Sequence, residues 1–129
     1  MVHKSVKTVA LYALILALGL GAGHVMPRVW HMIKPKYSTG DFKAFYPDAK
    51  TRVVVYGTAT CPFCIQARDY LKGRKVAFGD FDVKDGGKGQ RDYAALGAKV
   101  VPVILIGNRR LEGFNEKAVA DALEELPGM

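Results

Sequence analysis

The chain has two cysteines, Cys61 and Cys64, and they stand two residues apart in the run "YGTATCPFCIQARDYL", Tyr56 to Leu71. A pair at that spacing can be a structural clip, half of a metal site or a redox couple. A metal site needs about four ligands. All three histidines, His3, His24 and His31, lie in or near an apolar N-terminal segment, so a second chain or an external thiol would have to complete such a site. A structural disulfide closing so short a loop constrains the unfolded chain little. The redox reading has a physical mechanism. Cys61 falls just after a predicted strand and just before a predicted helix, with Pro62 suited to the first helical position. Its sulfur then faces unpaired backbone N–H groups and the positive end of the helix dipole. Both favour thiolate, so the Cys61 pKa is expected to be depressed. Cys64 falls about one helical turn later, within disulfide reach and more buried. The expected exchange has Cys61 attack a substrate disulfide and Cys64 resolve the mixed disulfide that forms.

The elements that must hold this pair follow from the pattern after Thr51. "RVVVY" (52–56) is a continuous β-branched run that suits a strand covered on both faces. "PFCIQARDYLKG" (62–73) reads as a helix with Ile65, Ala67 and Leu71 on its apolar side and Gly73 closing it. "VAFGDFDV" (76–83) predicts a second strand and "GQRDYAALGA" (89–98) a short helix ended by Gly97. "VPVILIG" (101–107) and "RRLEG" (109–113) predict a hairpin turning at Gly107-Asn108. "NEKAVADALEEL" (115–126) predicts an amphipathic helix with Asn115 as N-cap. The order β-α-β-α-β-β-α implies an α/β fold, a small mixed sheet covered by helices.

The first 50 residues differ in character. From Thr8 to Pro27 the chain runs twenty residues without a formal charge, between Lys7 and Arg28, which matches the roughly 20 residues a helix needs to cross a bilayer. "MVHKSVK", an apolar core and "GAG" also have the layout of a signal peptide, with Gly21 and Gly23 before a cut. The apolar run exceeds the about 7–15 residues of a signal core, which favours a single-pass anchor over residues 1–27. Gly19 and Gly23 form a weak GxxxG match. Residues 28–50 read as a juxtamembrane linker, with Pro27, Pro35 and Pro47 as helix breakers and "YSTGD" as turn chemistry. Within it "DFKAF" is expected to form a helical turn packing Phe42 and Phe45 on the domain at 51–129. Of the net charge of +7, +5 lies in residues 1–50, flanking the apolar run where charge meets lipid headgroups. No basic stripe with interleaved aromatics appears downstream, which argues against nucleic-acid binding. Lys4 and Lys7 on one side nearly balance Arg28, Lys34 and Lys36 on the other, so charge asymmetry selects no orientation.

"VVVYGTATCPFC", then "KVVPVILIG", then "GF" before a last helix resemble the glutaredoxins, small members of the thioredoxin fold, over about Thr51 to Leu126. CPFC is close to the family's common CPYC, with Phe63 in the Tyr position. The resemblance implies a thioredoxin-like sheet, a cis Pro102 facing Cys61, and a Val101 whose N–H and C=O pair with a bound peptide or glutathione. It further implies that Thr58, Pro62, Phe63, Gly113, Phe114 and Asn115 contribute to substrate binding. Two departures bear on glutathione. Many glutaredoxins carry a Lys three residues before the first Cys, where this chain has Thr58. The family's Gly-Gly-x-Asp is here Glu112-Gly113-Phe114-Asn115. A lost cation and a gained anion both weaken binding of an anionic tripeptide, with Arg91 as a candidate substitute cation. "GF" before a helix is also similar to the glutaredoxin-like proteins reduced by thioredoxin reductase.

The resulting expectation is a membrane-tethered thiol–disulfide oxidoreductase acting on protein or glutathione mixed disulfides. It needs no bound cofactor and draws electrons from glutathione or a flavoprotein reductase. Two readings compete with it. One is an assembly or binding module carrying glutathione or a metal cluster, although cluster-binding relatives usually have a single active-site cysteine and a different loop. The other is an oxidase of exported proteins, marked by a high reduction potential.

Overall fold

The long β-branched run and the helix after it form as their patterns dictate, and a five-stranded sheet grows around them. The computed structural model describes the backbone of residues 2–33 and 37–127, and the side chains of 4–21 and 37–127. The chain divides into two units, Met1–Pro35 and Lys36–Met129.

The first unit is helix α1, Val2–Ile33. Within it the window Lys4–Gly21 is long and apolar enough to cross a membrane. Its large side chains, Val6 to Leu20, are more than half exposed. The backbone continues through Pro27 to Ile33, against the expected break. A proline deletes one bond of the helical ladder, and the rest of the ladder carries the helix past it. The break expected at Pro35 lies outside the described residues, as do the side chains of the three histidines.

The second unit opens with strand β1 (Ser38–Thr39) and a 3₁₀ turn at Lys43–Phe45. Then come β2 (Val53–Gly57), α2 (Pro62–Gly73), β3 (Gly79–Asp82), α3 (Lys88–Ala95), β4 (Val103–Ile106), β5 (Arg109–Glu112) and α4 (Glu116–Glu124). The sheet order is β1-β5-β4-β2-β3. β2 and β3 are parallel, and β2–β4, β4–β5 and β1–β5 are antiparallel. This is a mixed α/β sheet of thioredoxin type, in the expected element order with one edge strand added. β1 caps the exposed edge of β5 by pairing Ser38 with Arg110 and Thr39 with Arg109. An edge strand offers unpaired backbone groups, and even two residues satisfy some of them. Phe42, Phe45 and Tyr46 pack on the core behind it. The folded unit therefore begins before the expected boundary at Thr51, and the 37–50 part of the expected linker is attached to the sheet.

Both faces of β2 are covered, which explains its unbroken apolar run. Val53 and Val55 face α2 and α4, packing with Ala67, Leu71, Ile104, Leu111, Val119 and Leu123. Val54 and Tyr56 face the opposite layer with Val103, Leu105 and Leu96. Helix α2 buries Cys64, Ala67 and Leu71. Ile65, expected on that face, is instead 45% exposed, because the 3.6-residue period turns it outward when Cys64 and Leu71 face in. β3 is shorter than expected (Gly79–Asp82 for 76–83), as an edge strand paired only with β2 would be. Strand β4 likewise begins at Val103, leaving Val101 and Pro102 as its lead-in loop.

Candidate functional site

Topology brings the chemistry-bearing loops to one end of the sheet. β2 ends at Gly57, and Tyr56 pairs with Val103 at the start of β4. Val103 in turn pairs with Glu112 at the end of β5. The loop 58–61 after β2, the Val101-Pro102 lead-in to β4 and the segment 113–115 after β5 thus emerge side by side.

Cys61 is the N-cap of α2 with Pro62 next to it, as the strand–Cys–Pro order requires, and its carbonyl accepts the first helical bond, from the Ile65 N–H at 3.1 Å. The Cys61 side chain is half-buried and Cys64 is 0% exposed, and neither is in a disulfide. The Cys61 thiol pKa is lowered, first by the Cys64 S–H beside it, then by the backbone amides of Cys64 and Phe63 and the Arg68 guanidinium, against an opposing desolvation. The amides act without a full cap hydrogen bond to the neutral thiol; a thiolate is the form they favour. The Cys64 thiol is pushed up to about 11, first by burial and then by the Cys61 sulfur, with the Thr58 amide and Arg68 pulling the other way. The two thiols are therefore unequal in the expected sense, with an accessible sulfur that ionises easily and a buried one that does not.

Gly57 makes room for the buried thiol. A Cβ at that position would lie 2.7 Å from Cys64 Sγ and 3.6 Å from Arg68 Nη2. Arg68 stands one turn after Cys64 on α2. Its Nε donates to both Asp80 carboxylate oxygens at 2.9 and 3.0 Å, and its Nη1 donates to the Thr58 carbonyl at 3.0 Å. Neither Gly57 nor Arg68 was among the expected site residues. The i, i+4 spacing of Arg68 from Cys64 was the available signal, but nothing local distinguishes it from a solvated helix arginine.

The other expected residues divide. The Val101-Pro102 peptide is cis. Pro102 is buried and its carbonyl accepts from the Gly113 N–H at 2.8 Å, which ties the 113–115 segment to the proline loop. The Val101 N–H and C=O have no backbone partner among the described residues. The Val100 carbonyl is held by the Tyr93 hydroxyl at 3.1 Å. Pro62 and Phe63 are exposed, Phe63 by 57%. Phe63, Ile65 and Val100 are the large hydrophobics left exposed in this unit among the described residues. Phe114 and Asn115 have architectural duties: the Phe114 ring meets Tyr70 edge-on at 5.7 Å, and Asn115 Oδ1 accepts from the Ala118 N–H at 2.9 Å as the N-cap of α4. Glu112 is ion-paired to Arg110, whose Nη1 also donates to the Leu96 carbonyl, so its negative charge is partly compensated. Arg91 is exposed on α3.

The comparisons with known proteins agree with this geometry. The glutaredoxin family model matches residues 53–111. An uncharacterized glutaredoxin-like 8.6 kDa protein in the rubredoxin operon of Clostridium pasteurianum is 32% identical over 74 residues, covering 57% of this chain and 99% of that protein. The crystal structure of glutaredoxin grx-1 from Archaeoglobus fulgidus superposes with a TM-score of 0.51 at 24% identity, covering 67% of this chain and 98% of that one. The glutaredoxin-like protein NrdH-redoxin from Escherichia coli gives 0.50 at 19%, covering 61% and 100%; both likenesses are of fold. A redox-type sheet, a CxxC pair split between surface and core, and a cis-proline loop beside it support thiol–disulfide oxidoreductase chemistry, and together with the matched sequence they place the chain in the glutaredoxin family.

Proposed function

We propose that the protein is a membrane-tethered dithiol oxidoreductase in which Cys61 is the nucleophile and Cys64 the resolving thiol. The observation that carries this reading is the inequality of the two sulfurs, one half-buried at a helix N-terminus with a lowered pKa, the other fully buried with a raised one. The Cys61 thiolate attacks a substrate disulfide sulfur and displaces the other half as a thiol. Cys64 then attacks Cys61, releases the substrate sulfur and leaves the Cys61–Cys64 disulfide, which a reducing partner returns to the dithiol. Val101 pairs with the extended backbone of the bound disulfide through its open N–H and C=O. Thr58, Pro62, Phe63 and Gly113 form the adjoining walls.

The exposure of Phe63 and Ile65 on α2 next to Cys61, and of Val100 next to the Val101-Pro102 peptide, supports a protein disulfide as substrate, since it leaves apolar side chains open beside the residues of the site. Thr58 in place of a cation supports the same choice over glutathione. Electrons then come from a flavoprotein reductase in preference to glutathione. The apolar window Lys4–Gly21 supports tethering by α1 as a single-pass anchor.

Reduction of a protein disulfide by the full chain in detergent tests the chemistry. Cys61→Ser abolishes turnover, and full activity in that variant refutes the assignment. Retention of the full chain in membranes washed with alkaline carbonate tests the tether; release into the wash refutes it.

A further inference from the structure

A dithiol exchange needs two thiolates in succession, and the site serves them unequally. Cys61 has the N-terminus of α2. In the dithiol the Cys64 thiol is pushed up to about 11, by burial first and then by Cys61; burial still acts on it in the mixed disulfide, where it must lose its proton to attack. Among the described residues the cation that acts on it is Arg68. A Cβ at Gly57 would lie 2.7 Å from Cys64 Sγ and 3.6 Å from Arg68 Nη2, so both groups border the same small space. Nε and Nη1 of that guanidinium are engaged by Asp80 and by the Thr58 carbonyl, whereas Nη2 makes no hydrogen bond among the described residues. Its side chain is 15% exposed, so the charge is only partly screened. The Thr58 carbonyl is engaged by Arg68, and the Thr58 backbone amide favours the ionised Cys64 sulfur.

We propose that Arg68 is a positioning residue for the resolving step: braced by Asp80 and clasping the Thr58 carbonyl, it holds its own charge and the Thr58 amide beside Cys64 Sγ as that sulfur becomes the attacking thiolate. The inference rests on the dithiol reading above. In the step itself Cys64 loses its proton. Its sulfur attacks Cys61 Sγ, the Cys61–substrate S–S bond breaks as the Cys61–Cys64 bond forms, and the departing substrate thiolate takes up a proton. The two electrons that reduce the substrate disulfide come from the two cysteines. The other groups facing Cys64 among the described residues are Cys61 on the same helix and the Tyr93 phenol of α3. Asp80 of β3 stands behind Arg68, and the Arg110–Glu112 pair of β5 faces Tyr93. Arg68 is itself ion-paired to Asp80, and what sets it apart is its Nη2, which borders the space at Gly57 shared with Cys64 Sγ.

The test mixes reduced full-length protein in detergent with an aromatic disulfide whose released thiolate is coloured, across a pH series. A first phase releases one equivalent as Cys61 is modified, and a second releases another as Cys64 resolves the mixed disulfide. Arg68→Gln slows the second phase at neutral pH by about tenfold or more, equivalent to one pKa unit, moves its midpoint to higher pH, and affects the first phase less; Arg68→Lys recovers much of the loss. A second-phase profile in Arg68→Gln that superposes on wild type, or one lowered equally at every pH, overturns the proposal. Should Arg68→Gln fail to fold, Asp80→Asn takes its place. This variant frees the guanidinium from its brace and removes its counter-ion, so it moves the midpoint of the second phase and spares the first, and a second-phase pH profile that superposes on wild type overturns the proposal. Cys64→Ser separates the two levels of the argument. If it keeps the second phase, the dithiol reading is wrong; if it loses that phase while Arg68→Gln keeps the wild-type profile, only the role of Arg68 is wrong.

Discussion

Cys61 caps α2 with its sulfur half-buried, and Cys64, one turn further along the same helix, is fully buried against Gly57. On the proposed dithiol reading, this arrangement keeps the first thiol reactive and shields the second until the resolving step. Alkylation of Cys61 by iodoacetamide, which follows the thiolate, should show a midpoint below that of an ordinary thiol. The largest cause of the lowered pKa is the Cys64 S–H, so Cys64→Ala should raise that midpoint. A midpoint at or above the ordinary thiol value in wild type would contradict the site's electrostatics.

The raised pKa of Cys64 is also a statement about stability. The folded state holds this proton more tightly than the unfolded chain, so the contribution is complete below the ordinary thiol pKa and is lost as pH rises towards about 11. Urea denaturation between neutral and strongly alkaline pH should therefore show a steeper fall in wild type than in Cys64→Ala. Equal falls would mean that Cys64 is not held protonated by burial.

Gly57→Ala would place a methyl group 2.7 Å from Cys64 Sγ. Either the thiol or strand β2 must shift, and overpacking of this kind costs about 1–3 kcal/mol. The expected result is a lower denaturation midpoint and slower resolution of mixed disulfides. Wild-type stability and kinetics in this variant would show that the close approach is not required.

Asn115 caps α4 through its side-chain oxygen. Asn115→Ala should cost about 1 kcal/mol of stability, while Asn115→Asp, which keeps the acceptor and adds charge at a helix N-terminus, should cost little. If both variants keep wild-type stability and lose substrate affinity, Asn115 serves the ligand and not the helix.

Thr58→Lys restores the cation that the glutaredoxin resemblance associates with a glutathione carboxylate. An exposed ion pair is worth up to about 1 kcal/mol, so turnover of a glutathione mixed disulfide should improve up to about fivefold in KM, with protein-disulfide reduction little changed. No gain with glutathione would mean that the tripeptide does not reach this position.

What could be read from the chain follows how local each determinant is. Val53–Gly57 and Pro62–Gly73 were legible because a β-branched run and a Pro-to-Gly bracket act through nearest neighbours. The cis Pro102 was reached through family resemblance, since an X-Pro dipeptide carries no local mark of its isomer. Strand β1 was missed because two residues hold no period, and their pairing with Arg109 and Arg110 is a tertiary fact. Apolarity alone points Ile65 inward, whereas Cys64, Ala67 and Leu71 set the buried stripe and leave it outside. Arg68 carries no local mark of its position, since its partners Thr58 and Asp80 lie ten and twelve residues away along the chain.

The central claim, that Cys61 attacks and Cys64 resolves, is tested most directly by intact-protein mass spectrometry of Cys64→Ser after exposure to a disulfide substrate. The account predicts one stable mixed disulfide on Cys61 in this variant, none accumulating in wild type, and none in Cys61→Ser. A stable adduct on Cys64 in Cys61→Ser, formed as fast as that on Cys61, would contradict it.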